Sequence, residues 1–244
     1  MQMTKNVAQL INGTKYYGKK QVLNNINIEL SSGEILGFIG PSGSGKTTTI
    51  KCLMGMEKLD GGQATLFNQT IPNRKVLNDI GYMGQSDALY ESLSARENLE
   101  FFGNLKGIKG KVLKNAISET MNLVNLEQEL DQIVSTFSGG MKRRLSLAIT
   151  LLSNPDLIIL DEPTVGIDPS LRKDIWKQLN HLTRNNKSVI VTTHVMSEAE
   201  RCDYIGLIVD GQLFTMGTPE TLKAKFEVDS IEEVFIKAEK KVEQ

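Results

Sequence analysis

Gly40-Pro41-Ser42-Gly43-Ser44-Gly45-Lys46-Thr47 fits the spacing GxxxxGK[ST] without a mismatch. Its glycines let backbone N–H groups close around phosphate oxygens, and a helix starting at its end adds the positive pole of its dipole. Lys46 would reach the β- and γ-phosphates, and the Thr47 hydroxyl would ligate Mg²⁺. A merely tight turn does not require Lys and Thr in those places. The chemistry is that of a nucleotide site.

A second stretch, "LIILDEPT" at 157–164, is apolar until Asp161 and Glu162. Acids at the carboxyl end of a buried strand emerge beside the crevice where α/β proteins hold ligands. Asp161 suits Mg²⁺ through a water, which leaves Glu162 free to accept a proton from an attacking water. Adjacent acids alone would be a solvated loop; beside a phosphate loop they read as catalytic. His194 ends "SVIVTTH". A lone histidine is ordinarily structural, but if its strand runs parallel to that of Asp161 it can reach the γ-phosphate. Gln85, in "GYMGQSD", stands where an α/β core gives way to a helical segment.

"TFSGGMKRRL" at 136–145 resembles a second anion site. Ser138 is a good N-cap, and Gly139 and Gly140 let a helix N-terminus approach an anion closely. Lys142, Arg143 and Arg144 then oppose the helix dipole in the first turns. Either carboxylates or phosphate oxygens compensate them, or they form a solvated face.

The elements that would position these residues are legible in outline. Residues 22–30 end in alternation, with Ile26, Ile28 and Leu30 on one side of a half-buried strand. "EILGFIG", "DLIIL" and "SVIVTT" are short apolar runs of the kind buried on both faces of a parallel sheet. Residues 47–56 read as a helix, and Asp60-Gly61-Gly62 as a turn into the strand "QATLF". Asp210-Gly211 marks a hairpin within "YIGLIVDGQLFTMG". Ser94 and Glu97 form a capping box for a helix that Gly107 closes. Helical spacing of Val112, Leu113, Ala116, Ile117, Met121 and Val124 defines the next. Thr218-Pro219, and Ser230 with Glu233, start two C-terminal helices. The expected fold is a P-loop α/β core of RecA-like type with an antiparallel β subdomain and an inserted α-helical subdomain. The core takes 1–85 and 153–217, the helical subdomain 86–152, and short helices 218–244, all as one domain.

Composition excludes several classes. With 28 basic against 29 acidic side chains the net charge is −1, so no nucleic-acid partner is expected. No apolar run approaches the roughly 20 residues a bilayer span needs. "MQMTKNVAQL" lacks the charged-then-apolar run of a secretory leader. Cys52 and Cys202 are isolated, and His181 and His194 are the only histidines, which is too few for a zinc cluster. Both cysteines read as buried thiols in a reducing compartment.

"GPSGSGKT", Gln85, "FSGGM", "LIILDEP", "GID" and "TTH" stand in the order and spacing of the ATP-binding subunits of ABC transporters, which the sequence resembles from about Val7 to the C-terminal helices. "SGGMKRRLSLAITLL" and "SIEEVFIKA" are most similar to the multidrug and antibiotic exporter branch, whose membrane partners are of the ABC-2 type. The resemblance implies ATP and Mg²⁺ as ligands. It also implies a head-to-tail pair of subunits, as homodimer or heterodimer, in which Ser138, Gly139 and Gly140 of each face the ATP of the other. It implies Tyr17, or alternatively Tyr16, stacked on adenine, and Thr48 at the α-phosphate. Asp168 would lie at the dimer seam and Gln85 near Mg²⁺, while His194 would hold the γ-phosphate and the water. The family signature usually begins with Leu and ends with Gln, where this sequence has Phe137 and Met141. Met141 cannot supply a glutamine's hydrogen bonds.

The expected mechanism is a clamp that closes on ATP and reopens after hydrolysis. It would power transport by a separate membrane-spanning permease that docks near Gln85 to Tyr90 and holds the cassette at the cytoplasmic face of the membrane. Three rivals are weaker. A soluble ABC-type ATPase clamp usually carries two cassettes or a coiled-coil insertion. A P-loop kinase has no use for "SGGM", and a GTPase would need an NKxD-type guanine-reading segment, which the sequence lacks. An idle regulatory cassette would not keep Lys46, Asp161, Glu162 and His194.

Overall fold

The computed structural model describes residues 6–242. The start of the stretch read as lacking a secretory leader, residues 1–5, lies outside them, as do 243–244 at the end of the C-terminal helices. In chain order the strands are β1 (Asn6–Tyr17), β2 (Lys20–Ser31), β3 (Ile35–Ile39), β4 (Gly61–Leu66), β5 (Gln69–Thr70), β6 (Ile80–Met83), β7 (Leu157–Asp161), β8 (Ser188–Thr192), β9 (Tyr204–Val209) and β10 (Gln212–Gly217). The helices are α1 (Lys46–Leu53), α2 (Ala95–Leu105), α3 (Gly110–Leu123), α4 (Gly139–Leu151), α5 (Pro169–Arg184), α6 (Met196–Ala199), α7 (Pro219–Phe226) and α8 (Ile231–Val242).

Two sheets organise the molecule. A six-stranded sheet has the order β10-β9-β3-β8-β7-β6, parallel throughout except for β10 at one edge. A four-stranded antiparallel sheet has the order β2-β1-β4-β5. The parallel strands are buried on both faces because each alternates between two cores. Ile35, Ile39, Ile158, Leu160, Val189 and Val191 join one that includes residues of α2, α3, α4, α5, α7 and α8. Leu36, Phe38, Leu157, Ile159 and Ile190 join the other, with Ile50 and Leu53 of α1 and the inner face of the antiparallel sheet. Uninterrupted apolar runs in sequence are therefore two alternating faces, each of them covered. In β2 one face suffices: Ile26, Ile28 and Leu30 are buried while Asn27 and Glu29 are exposed.

The local signals hold. Ser94 accepts from the Glu97 N–H and Glu97 from that of Ser94, closing the capping box of α2. Ser138, Asp168 and Thr218 cap α4, α5 and α7 through their side chains. The β9–β10 turn places Asp210 at φ 46° and Gly211 at φ 74°, as a two-residue hairpin requires. That turn also braces the phosphate loop: Gly211 N–H donates to the Ser44 carbonyl at 3.0 Å, and its own carbonyl accepts from Asn24 N–H at 2.7 Å. The insertion is less helical than its sequence suggests. Residues 86–94 hold no helix, and Ser94 forms a β-bridge with Ile133.

Candidate active site

The segments beyond four parallel strands deliver the chemistry. Beyond β3 comes the phosphate loop, beyond β6 Gln85, beyond β7 Glu162, and beyond β8 His194. Asp161 is the last residue of β7 and sits opposite Thr192, so β7 and β8 run parallel as the reach of His194 demands. A cavity of about 120 Å³ is lined by Ser42, Gly43, Gly45, Lys46, Thr47 and Thr48, with Gln85 and Glu162. Loop and acids thus meet, as the spacing of types predicts.

The loop is built for close approach. Gly40 has φ 151°, and a Cβ there would lie 2.0 Å from the Ile208 carbonyl oxygen; Gly45 has φ 107° and a Cβ would lie 2.9 Å from that of Val22. Lys46 is buried, and its ammonium donates to the Gly40 and Pro41 carbonyls at 2.8 Å each. Burial holds its pKa below the ordinary lysine value, with Glu162 and Asp161 pulling the other way. Ser44 Oγ is buried and has no hydrogen-bond partner. An orphaned hydroxyl and a cation satisfied only by loop carbonyls are what a polyphosphate would complete.

The acids are held rigidly. Asp161 is 1% exposed; its Oδ2 accepts from Thr47 Oγ1 at 2.9 Å and its Oδ1 from Thr192 Oγ1. Gln85 Nε2 donates to Thr47 Oγ1 at 3.2 Å, and half a turn of its amide would present the oxygen instead. Hydroxyl, carboxylate and amide oxygen are hard donors of the kind Mg²⁺ accepts. Glu162 adopts φ 53°, uncommon for a residue with a side chain. Its N–H donates to the carbonyl and hydroxyl of Thr192 at 3.1 and 3.0 Å. Its Oε2 lies 3.6 Å from His194 Nδ1.

Other sequence candidates fall outside this cluster. Ser138 accepts from Met141 N–H at 3.2 Å, and a Cβ on Gly139 would meet nothing within 4 Å. Neither they nor Gly140 line the phosphate cavity of their own chain. Asp168 is exposed and caps α5, accepting from Leu171 N–H at 3.0 Å. Tyr16 and Tyr17 are both exposed, but the Tyr17 ring lies under Lys15 Nζ at 5.2 Å. Desolvation and Glu57 raise the Tyr17 pKa, with the Thr48 hydroxyl pulling the other way.

The solvated-face alternative for residues 142–144 is corrected. Lys142 pairs with Glu91 at 2.6 Å, a carboxylate as one reading expects. Arg144 donates to the Val124 and Asn125 carbonyls. Arg143 is buried against five oxygens. Backbone carbonyls, considered in neither reading, do most of the compensating. Sequence reasoning also missed Thr192, although a polar residue closing an apolar parallel strand beside Asp161 was a usable signal. It missed Glu198 as well, a buried carboxylate that accepts from Thr193 Oγ1 at 2.7 Å and from Thr164 Oγ1.

Comparison with known proteins agrees. The family model described as ABC transporter matches residues 23–165. Over 230 residues the chain is 36% identical to the probable multidrug ABC transporter ATP-binding protein YbhF of Escherichia coli (strain K12), covering 91% of this chain and 40% of that one. Over 223 residues it is 38% identical to the Nod factor export ATP-binding protein I of Rhizobium sp. (strain N33), covering 90% and 73%. It thus spans about two fifths of the first relative's length. Among solved structures, the dimeric ATP-binding cassette MJ0796 in a post-hydrolysis state bound to ADP and Pi matches with a TM-score of 0.80 at 27% identity, covering 86% of this chain and 98% of that one. With the phosphate loop, the acids after β7 and the histidine after β8 arranged as described, the chain belongs to the ABC transporter family.

Proposed function

We propose that this chain is the ATP-binding and ATP-hydrolysing subunit of an exporter, acting in a pair of such subunits with a separate membrane-spanning partner. The observation that carries this is the convergence of Lys46, Thr47, Gln85 and Glu162 on one cavity, with Asp161 bonded to Thr47 and His194 against Glu162. The relative named for Nod factor export supports the direction of transport.

In this reading the backbone N–H groups of residues 42–48 and the Lys46 ammonium hold the triphosphate, with Thr48 at the α-phosphate and Tyr17 against the base. Thr47, Asp161 and Gln85 would hold Mg²⁺, which neutralises charge on the transferred phosphoryl group. Glu162 accepts the proton of the attacking water, and His194 steadies that water and the γ-phosphate. The exposed N-terminus of α4 would serve a second copy: Ser138, Gly139 and Gly140 would close the open face of its nucleotide, with Asp168 at the seam. ATP then favours the closed pair by as much as it binds that state more tightly.

The membrane partner, of ABC-2 type in this proposal, docks on an apolar groove of about 350 Å³ between core and helical lobe, lined by Met56, Leu77, Leu89, Phe102, Leu105 and Ile149. Met56, Leu77 and Leu105 expose much of their surface there. No helix among the described residues is long and apolar enough to cross a membrane, so a membrane-spanning subunit would have to come from elsewhere.

The test is hydrolysis of ATP by the purified chain with and without Mg²⁺, beside Glu162→Gln. Mg²⁺-dependent turnover that the variant loses by 100-fold or more supports the reading, given that general-base catalysis contributes about 10²–10⁴-fold. The variant should elute as a dimer with ATP and as a monomer without it. Normal turnover by Glu162→Gln would remove Glu162 from its role, and a variant that stayed monomeric with ATP would remove the clamp.

A further inference from the structure

Arg143 carries a full charge at 5% exposure, near the N-terminus of α4, where the dipole opposes a cation. Burial of that kind persists only where the charge is compensated; both terminal nitrogens are, while Nε is buried without a partner. Its Nη1 donates to the Gly84 carbonyl at 2.8 Å, the Gln85 carbonyl at 3.2 Å and Asp87 Oδ1 at 3.2 Å. Its Nη2 donates to the Asp161 carbonyl at 2.6 Å and the Glu162 carbonyl at 2.7 Å. Asp87 Oδ1 also accepts from Ser146 Oγ at 2.9 Å, on the same helix.

The two Nη2 contacts fall on the peptides either side of the Glu162 Cα. Together they set the orientation of both planes, hence φ and ψ of Glu162 and the direction of its Cα–Cβ bond. The conformation so held is the left-handed one at φ 53°, uncommon and costly for a residue with a side chain. On the other side of the residue Thr192 supplies the matching clamp to the Glu162 N–H. A guanidinium is planar and its donors form a fixed fork. The Gln85 segment and the Glu162 segment are therefore held at a spacing that one side chain dictates.

We infer that Arg143 is a positioning residue for ATP hydrolysis: it fixes the backbone at Glu162 and ties it to the segment carrying Gln85, so that both side chains are presented to the nucleotide together. Resting on the proton-accepting role proposed for Glu162, the inference adds that α4, the helix beginning at Ser138, is bonded directly to the backbone of the hydrolytic residue. Lysine retains the charge and much of the bulk but is a point donor that cannot span both segments. Methionine fills the space and donates nothing.

The experiment compares Arg143→Lys, Arg143→Met, Glu162→Gln and the double variant Arg143→Lys/Glu162→Gln in the purified full chain. Steady-state kcat and KM for MgATP, affinity for a fluorescent ATP analogue, and the thermal unfolding midpoint are measured for each. A positioning role predicts that kcat falls about 10- to 100-fold in both single Arg143 variants, part of the 10²–10⁴-fold of the base itself. KM and analogue affinity stay within twofold, and the double variant is no slower than Glu162→Gln alone, because the two residues act as one unit. Should Arg143→Met fail to fold, Arg143→Lys decides. Turnover within twofold of wild type in Arg143→Lys, or a fall in kcat matched by an equal fall in affinity, overturns the inference. So does a further fall in the double variant. If Glu162→Gln turns over normally, the proposed base is wrong whatever Arg143 does; if it is inert while Arg143→Lys is normal, only the role of Arg143 is lost.

Discussion

Thr47 Oγ1 donates to Asp161 Oδ2 at 2.9 Å, joining a residue that lines the phosphate cavity to one 114 positions away. The contact makes the start of α1 and the end of β7 a single unit, and Thr192 extends that unit to β8. Thr192→Val keeps the shape and removes the hydroxyl. Asp161 Oδ1 then loses its donor in a nearly solvent-free site, which costs about 1–3 kcal/mol. Chemical denaturation should show a loss of that size. Hydrolysis should slow by roughly tenfold, as expected for a weakened acid–base arrangement, while ATP affinity holds.

Gly40→Ala tests the loop. Its Cβ would lie 2.0 Å from the Ile208 carbonyl oxygen at a φ of 151°, where the obstacle is backbone and cannot rotate away. A destabilisation of about 2–4 kcal/mol follows from strain and overpacking together. Urea unfolding should show it, with nucleotide binding lost in the same variant. A fully stable Gly40→Ala would mean that the strand–loop junction yields.

Both thiols should react slowly with disulfide reagents. Burial pushes the Cys52 thiol up to about 11 and that of Cys202 higher still. At pH 8 a thiol at about 11 is almost entirely protonated, so its thiolate is roughly two orders of magnitude scarcer than that of an exposed cysteine near 8.5. Titration with Ellman's reagent should therefore be slow in native buffer, rapid in denaturant, and faster as pH rises towards 11.

Tyr90→Glu probes the edge of the proposed docking face, its ring centroid lying 6.2 Å from that of Phe102 in the groove. The backbone of Tyr90 is pinned by Asn98, which accepts from its N–H at 2.9 Å and donates to its carbonyl at 3.0 Å. The loop should keep its path, with loss of the edge-on contact to Phe101, whose ring centroid is 4.9 Å away. Such ring pairs contribute about 0.5–1.5 kcal/mol. ATP binding by the isolated chain should be unchanged, and coupling to a co-expressed membrane subunit should fail. If ATP binding fell and coupling survived, the docking face would lie elsewhere.

How much of this was legible beforehand depends on the range of the signal. The hairpin at Asp210-Gly211, the caps at Ser94, Ser138 and Thr218, and the doubly buried strands were legible because each is written within a few residues. The nucleotide loop and the acids after β7 were legible as types. Strand β1 and helix α5 had no counterpart among the sequence expectations. In β1 the alternation is broken by register irregularities between Leu10 and Gly13 and beyond. In α5 Ile175, Trp176 and Leu179 are buried, a helical stripe interrupted by many polar neighbours. Arg143 was least legible. Its partners lie 18 to 59 residues away, and backbone carbonyls leave no mark on side-chain composition.

The brace under the phosphate loop has a calorimetric consequence. Held by Gly211 through the Ser44 carbonyl and crowded from Val22 and Ile208, residues 40–45 have little mobility left to surrender when a triphosphate arrives. Ordering a free backbone costs about 1–2 kcal/mol per residue, and here that cost was met at folding. Nucleotide association should accordingly be fast, with a heat-capacity change no larger than direct contact with the ligand requires. Loosening the Asp210-Gly211 turn would slow binding and make it entropically dearer.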